Sequence, residues 1–173
     1  RVDMTSNLGA QTGVASVAIE RFASDSAIRR GSGPWAARLM GITYDLQNDR
    51  ILITDGDNDG ISELRMDTAA RRILSDGGSP MVGTGLPFSQ PISIAANGNS
   101  CVVIDSDRVL SVDLANGNRS VLSDPDPLEI SHINRSPSGN TILALSYANL
   151  ILRIHPTTGA VTTVASNSIG TGP

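Results

Sequence analysis

The most constraining feature of this sequence is an internal repeat. Residues 41–76, 91–124 and 131–166 carry one pattern three times, and the equivalent positions Ile42, Ile92 and Ile133 lie 50 and 41 residues apart. A fixed period of this length indicates that each copy is one structural unit packed against its neighbours. The repeat therefore decides the fold class before any single element is assigned.

Each copy contains four short runs rich in Ile, Val and Leu, separated by turn-forming residues. In the second copy, residues 97–99 and 116–118 both read Asn-Gly-Asn between two such runs. Asn-Gly pairs supply the positive φ angles of tight hairpins. The alternation of Leu110, Val112 and Leu114 is typical of a strand with one buried face. Each copy is therefore predicted to be a four-stranded antiparallel meander.

A quartet of antiparallel strands with this period predicts an all-β fold, a β-propeller of four-stranded blades. A β-sandwich would explain the strands but not the repetition of the whole quartet. Residues 2–6 resemble the third-strand sequences of the repeat, and residues 14–22 are predicted to form a fourth strand. The chain then holds about three and a half blades, fewer than the roughly four to eight of closed propellers.

The predicted organisation follows from these blades. Residues 1–30 hold the third and fourth strands of a partial blade, and residues 31–82 hold a connector and blade 1 with its DGDNDG loop. Residues 83–124 hold a connector and blade 2, residues 125–167 hold blade 3, and residues 168–173 begin a further connector. Two copies of the chain offer no spare first and second strands for the partial blade, so we expect a missing amino-terminal portion or a protein partner to complete the ring.

The connectors carry a resemblance to a known class of repeats. GSGP at 31–34, GTGLPF at 83–88 and GTGP at 170–173 recur between units. Together with GNRSVLSD at 117–124 and the hairpin at 54–67, they resemble the NHL-type and related six- or seven-bladed propeller repeats of exported bacterial proteins. The resemblance covers most of residues 30–173 and implies fold and export. Such propellers include binding scaffolds, lactonases and lyases, so it implies no single activity.

The loop DGDNDGISE at residues 55–63 is the candidate metal site. Ca²⁺ binds about six to eight oxygens, and carboxylates at alternate positions around a glycine bend can converge on one ion. The predicted ligands are the carbonyl of Ile61 and the carboxylates of four acidic residues, namely Asp55, Asp57, Asp59 and Glu63.

Two readings of this loop stay open. Met66 stands where an EF-hand would need its closing Glu, whereas the shorter spacing resembles the calcium loops of integrin-type propeller repeats. The alternative is a bare polar turn, because the second copy holds only Asp105, Ser106 and Asp107 at this place. Mutual repulsion of three crowded Asp side chains favours the calcium reading.

The amino-acid composition excludes or disfavours several classes of function and structure. The net charge is −4, from 17 acidic residues and 13 basic residues that are all Arg, which disfavours a nucleic-acid surface. The single cysteine, Cys101, excludes an internal disulfide and opens an apolar run, so it is predicted to be a buried small hydrophobe. No apolar run reaches the roughly 20 residues of a membrane span.

Two functions from different classes remain. The first is a non-enzymatic binding or structural scaffold, a segment of an exported bacterial β-propeller protein with a structural Ca²⁺ ion and a protein partner. The second is part of a metal-dependent propeller hydrolase or lactonase, with Asp45, Asn134 and His132 facing the central channel.

Overall fold

The computed structural model describes residues 32–34, 36–78, 80–106, 108–124, 129–136 and 140–169. These residues form twelve strands and no helix, so none of their elements is a helix that could cross a membrane. The half-blade predicted within residues 1–30 and the GTGP connector at 170–173 lie outside the described residues.

The strands group into three sheets of four. Blade 1 contains β1 (Leu39–Asp45), β2 (Arg50–Asp55), β3 (Gly60–Arg65) and β4 (Arg71–Asp76). Blade 2 contains β5 (Pro91–Asn97), β6 (Ser100–Asp105), β7 (Arg108–Asp113) and β8 (Arg119–Ser123). Blade 3 contains β9 (Ile130–Arg135), β10 (Ile142–Ser146), β11 (Ile151–Ile154) and β12 (Val161–Ala165).

Each sheet is an antiparallel meander in which every strand pairs with the next one along the chain. This order confirms the predicted four-stranded units. The short turns hold the backbone in the left-handed region, as at Gly98 in the β5–β6 turn, where φ is 65°. Asn-Gly sequences therefore mark the hairpins because the turns need that conformation.

Both faces of blade 2 carry buried apolar side chains, because this blade packs between blades 1 and 3. We call the side of a blade that points to the next blade along the chain its forward face, and the opposite side its backward face. The forward face of blade 1, with Leu52 and Ile61, packs on the backward face of blade 2, which includes Ile94, Val103 and Leu110. These side chains are at most 2% exposed.

The same arrangement recurs one blade later. The forward face of blade 2, with Val102, Ile104 and Val109, packs on Ile142 and Leu152 of the backward face of blade 3. Burial of each such aliphatic side chain contributes about 1.5–3 kcal/mol, so the two interfaces between blades are the main source of stability.

Neighbouring blades come close to each other at glycine residues in the turns between their third and fourth strands. Gly117 in the β7–β8 turn has a φ of 76°, and a Cβ at this position would overlap the carbonyl oxygen of Leu74 on β4. Gly159 in the β11–β12 turn is the equivalent residue, and its Cβ would overlap the carbonyl oxygen of Leu122 on β8. A side chain at either turn would therefore push two blades apart.

Substitution of Gly117 separates this close approach from backbone strain. Gly98 also has positive φ but faces open space, so Gly98→Ala bears only the strain, about 1–2 kcal/mol. Gly117→Ala adds the overlap with Leu74, and we expect it to lower the free energy of unfolding by about 1–3 kcal/mol more. Urea denaturation of both variants measures the difference, and equal losses would contradict the close approach.

Candidate functional site

The predicted metal loop connects β2 to β3, and its first acidic residue is already engaged. Asp55 ends β2 and is 2% exposed. Its carboxylate accepts hydrogen bonds from the backbone N–H of Ala37 at 2.8 Å and of Arg38 at 3.0 Å. It also accepts from the backbone and side chain of Asn58 and from the backbone of Asp57. Asp55 therefore fastens the incoming connector to blade 1.

Asp105 shows that this role does not depend on the acidic loop. Asp105 ends β6 of blade 2, is fully buried, and accepts from the backbone N–H of Ser89 at 2.8 Å and of Gln90 at 2.7 Å. Arg108 donates to the same carboxylate at 2.8 Å. A buried Asp at the end of the second strand is thus part of the repeat in blades 1 and 2, and Ser146 takes this place in blade 3.

The hydrogen bonds of Asp55 also fix its charge state. Burial raises the pKa of Asp55, but the donors from Arg38, Asn58, Ala37 and Asp57 outweigh burial, so the pKa lies below its ordinary value. A carboxylate that accepts several N–H groups is stabilised in its ionised form. The hydrogen bonds of the folded chain therefore stabilise the ionised carboxylate of Asp55.

The other predicted ligands in this loop differ in their surroundings. The Asp57 side chain is 56% exposed, with Arg38 Nη1 at 4.0 Å, whereas Ile61 is fully buried within β3. Asp59 has a raised pKa, first from burial and then from the charges of Asp105, Asp55 and Asp57. Among the described residues, no three His, Cys, Asp or Glu side chains are grouped as a metal site. The arrangement is not a preformed ligand shell, and calcium binding stays a prediction.

Glu63, the fifth predicted ligand, belongs to a buried ion-pair network on the forward face of blade 1. It pairs with Arg50 on β2, and it accepts from Arg72 Nε on β4 at 2.8 Å. Arg50 Nε also donates to Asp45 Oδ2 at 2.8 Å. Asp45, Arg50 and Glu63 are 2%, 7% and 6% exposed. The network links four strands of one blade.

The network keeps Glu63 charged. Burial raises the pKa of Glu63, but Arg72 and Arg50 outweigh it, so the pKa of Glu63 lies below its ordinary value. The stability that this carboxylate contributes is therefore present at neutral pH and is lost as the pH falls through its folded-state pKa. Sequence reasoning missed Arg50 and Arg72, because only the strand register places them beside Glu63.

Blade 2 replaces this network with hydroxyl groups. The register aligns the pair Leu52 and Glu63 of blade 1 with the pair Val102 and Ser111 of blade 2. A cleft of about 480 Å³ opens here. It is lined by Ser100, Ser111, Ser120, Asp113, Arg119 and three Asn side chains, at 97, 99 and 118. Sequence reasoning did not predict this polar cleft, because only the strand register brings its lining side chains together.

The residues of the enzymatic alternative do not share one environment. Asp45 lies in the buried network with Arg50, whereas His132 and Asn134 are exposed on β9. Cys101 is fully buried, and burial raises the pKa of its thiol, which confirms the prediction of a buried small hydrophobe. His155 Nδ1 accepts hydrogen bonds from the backbone N–H groups of Thr157 and Thr158, so this side chain stabilises the β11–β12 turn.

Comparison with known proteins identifies the architecture. No protein-family model and no curated protein matches the sequence. A chain of the crystal structure of a nidogen/laminin complex matches with a TM-score of 0.62 and 16% identity, over 76% of this chain and 49% of that chain. Streptogramin B lyase matches with a TM-score of 0.57 and 19% identity, over 75% of this chain and 41% of that chain. The fold is an incomplete β-propeller.

A third match extends the comparison. A protein of unknown function from Bacteroides thetaiotaomicron VPI-5482 matches with a TM-score of 0.55 and 12% identity, over 84% of this chain and 34% of that chain. The propeller thus spans half or less of the length of each of these solved chains. The matches confirm the predicted fold class and the relationship to propeller repeats.

Removal of Arg50 tests the buried network. Arg50→Met leaves the buried carboxylate of Asp45 without its cation and takes one of two cations from Glu63, so we expect a loss of about 3–5 kcal/mol in the free energy of unfolding. Arg65→Met is the matched control, because Arg65 pairs with Asp67 at the surface and such pairs contribute about 0–1 kcal/mol. Urea denaturation gives both values, and a small effect at Arg50 would contradict a stabilising network.

Proposed function

We propose that this chain is a non-enzymatic scaffold segment of an exported bacterial β-propeller protein, which binds a protein partner and holds a structural Ca²⁺ ion at residues 55–63. The propeller fold provides the rigid frame, and its loops provide the binding surface. Export rests on the resemblance of the GTG-type connectors to repeats of exported proteins.

The observation that carries the scaffold function is the use of the buried charges. Asp45, Arg50 and Glu63 join strands of one blade, and Asp55 and Asp105 fasten connectors. The remaining buried ion, Arg119, donates to the backbone carbonyls of Leu86 at 2.7 Å and of Val82 at 3.0 Å. Each of these groups is engaged in a contact within one blade or between a blade and its connector.

Protein binding is supported by one of the structural neighbours. The matching chain of the nidogen/laminin complex belongs to a protein that was crystallised with a protein partner. We assign the partner to the polar cleft of blade 2, because its hydroxyl and amide groups can both donate and accept hydrogen bonds.

A hydrolysis assay separates the scaffold from the enzymatic alternative. We expect the 173-residue chain to hydrolyse an aryl ester and a δ-lactone no faster than buffer does, with or without Ca²⁺. Asp45 is held by Arg50, so a shared metal with His132 and Asn134 would require the network to break. Turnover above buffer that disappears in His132→Ala, while the variant keeps its thermal stability, would contradict the scaffold function.

The raised pKa of Asp59 supports the calcium part of the proposal. Asp105, Asp55 and Asp57 all add negative charge near this carboxylate, which a bound cation would offset. The Asp57 side chain is 56% exposed and makes a surface ion pair with Arg38 at 4.0 Å. A cation at this loop would therefore draw on Asp57 and Asp59 first, and on Asp55 only after it exchanged its N–H donors.

Calorimetric titration with Ca²⁺ tests this site. We expect the wild-type chain to release or take up heat on binding and Asp57→Ala to show none, because the variant loses a ligand that the fold does not need. Asp67→Ala is the control, since Asp67 is an exposed acid in another turn, 52% exposed and paired with Arg65. Absence of heat in the wild type, or equal binding by Asp57→Ala, would exclude calcium at residues 55–63.

A further inference from the structure

The tetrapeptide Ala-Asn-Gly-Asn occurs twice in this chain, in two different hairpin turns of blade 2. It occupies residues 96–99 at the β5–β6 turn and residues 115–118 at the β7–β8 turn. These two places hold the only Asn-Gly sequences of the chain. Because the two copies have the same nearest neighbours in sequence, a difference in their chemistry must come from the fold.

An Asn side chain that precedes Gly can react with the backbone. The Gly nitrogen attacks Cγ of the Asn, so a new C–N bond forms and the bond from Cγ to Nδ2 breaks. Nδ2 leaves as ammonia and takes with it the proton of the Gly N–H. Water then opens the cyclic imide at either carbonyl, which gives Asp or isoaspartate. Gly favours the reaction because it has no Cβ to restrict the backbone rotation that the attack requires.

The fold holds both reacting groups of the second copy. Asn116 Nδ2 donates to Asp113 Oδ2 at 3.0 Å, and Asn116 Oδ1 accepts from the backbone N–H of Asn118 at 2.9 Å. The N–H of Gly117 donates to the carbonyl of Asp113 at 2.8 Å. Gly117 is also buried against the carbonyl oxygen of Leu74 on blade 1, so this turn has no space in which to rotate.

The first copy has none of these restraints. Asn97 is half-buried on the wall of the polar cleft of blade 2. Within the described ranges, neither its side-chain amide nor the N–H of Gly98 has a hydrogen-bond partner. The Asn97 carbonyl accepts from Ser100 Oγ at 3.1 Å, but that bond involves neither reacting group. No described atom lies within 4 Å of the place where Gly98 would carry a Cβ, so this turn has space to rotate.

We propose that Asn97 is a site of spontaneous deamidation in the folded protein, with water as the only co-reactant, and that the fold protects Asn116 from the same reaction. The reaction replaces an amide, which donates and accepts hydrogen bonds, with a carboxylate, which only accepts them. The polar cleft, which already contains Asp113, thereby gains a second negative charge. The inference rests on the fold and not on the proposed function.

Peptide mapping by mass spectrometry tests this difference after incubation of the full 173-residue chain at mildly alkaline pH. We expect Asn97 to deamidate about tenfold or more faster than Asn116, because attack at Asn116 must first break three hydrogen bonds. The chain denatured in guanidinium chloride is the control, and there the two identical tetrapeptides should react at closely similar rates. Equal rates in the folded chain, or a faster reaction at Asn116, would overturn the proposal. An Asn97 that stays intact in the folded chain while it reacts in the denatured chain would also overturn it.

Two matched variants connect the reaction to the charge of the protein. Deamidation adds a negative charge, so ion-exchange chromatography separates the product from the parent chain. Asn97→Gln should remove the early acidic species, because the longer side chain of Gln closes a larger ring more slowly. Asn116→Gln should keep that species. An early acidic species that persists in Asn97→Gln, or that disappears in Asn116→Gln, would contradict the assignment to Asn97.

Discussion

The contact between the forward face of one blade and the backward face of the next is the interaction on which the whole structure depends. A sheet of four short strands with two apolar faces cannot bury either face alone, so it is stable only beside a neighbour. Blade 2 shows this most clearly, because it has a neighbour on each side. Its fully buried residues include Cys101, Val102, Val103, Val109, Leu110 and Val112. Within the described ranges, blades 1 and 3 each have one face without a neighbouring blade.

The strands were predictable because their signals are local. Apolar runs and Asn-Gly turns lie within a few residues of each other, and the period of the repeat fixed their order. The role of Asp55 was not predictable, because its N–H donors at Ala37 and Arg38 come from a connector 18 and 17 residues away. The sequence Asp-Gly alone does not show whether the Asp carboxylate binds the backbone of a connector or binds a cation.

The buried network shows a second limit of sequence reasoning. Arg50 and Glu63 are 13 residues apart and meet only because β2 and β3 pair in one register, with Leu52 opposite Glu63. A shift of that register by one residue would move Glu63 to the other face of the blade. The four acidic residues of the loop therefore have different roles. Asp55 binds the connector and Glu63 belongs to the buried network. The calcium prediction now depends mainly on Asp57 and Asp59.

The connectors that carry the resemblance also have a structural reason. Arg71 and Arg119 begin the fourth strands of blades 1 and 2, and each donates through its guanidinium to backbone carbonyls of the connector before its own blade. A planar guanidinium can reach two carbonyls at once, whereas a Lys ammonium is a single compact charge. The glycine-rich connectors therefore serve to bind the fourth strands of the blades. For this reason the connector motif indicates the fold and does not indicate an activity.

Ala69 gives the outer rim of blade 1 a different geometry from that of its neighbours. Its backbone N–H bonds to the carbonyl of Arg65, as those of Gly117 and Gly159 bond to Asp113 and His155, so the three residues are equivalent. Only Ala69 carries a Cβ, and the fourth strand of any blade placed before blade 1 must stand further away than β4 stands from Gly117. The turn at Ala69 therefore cannot make the close approach to a neighbouring fourth strand that Gly117 and Gly159 make, although its backbone is held in the same way.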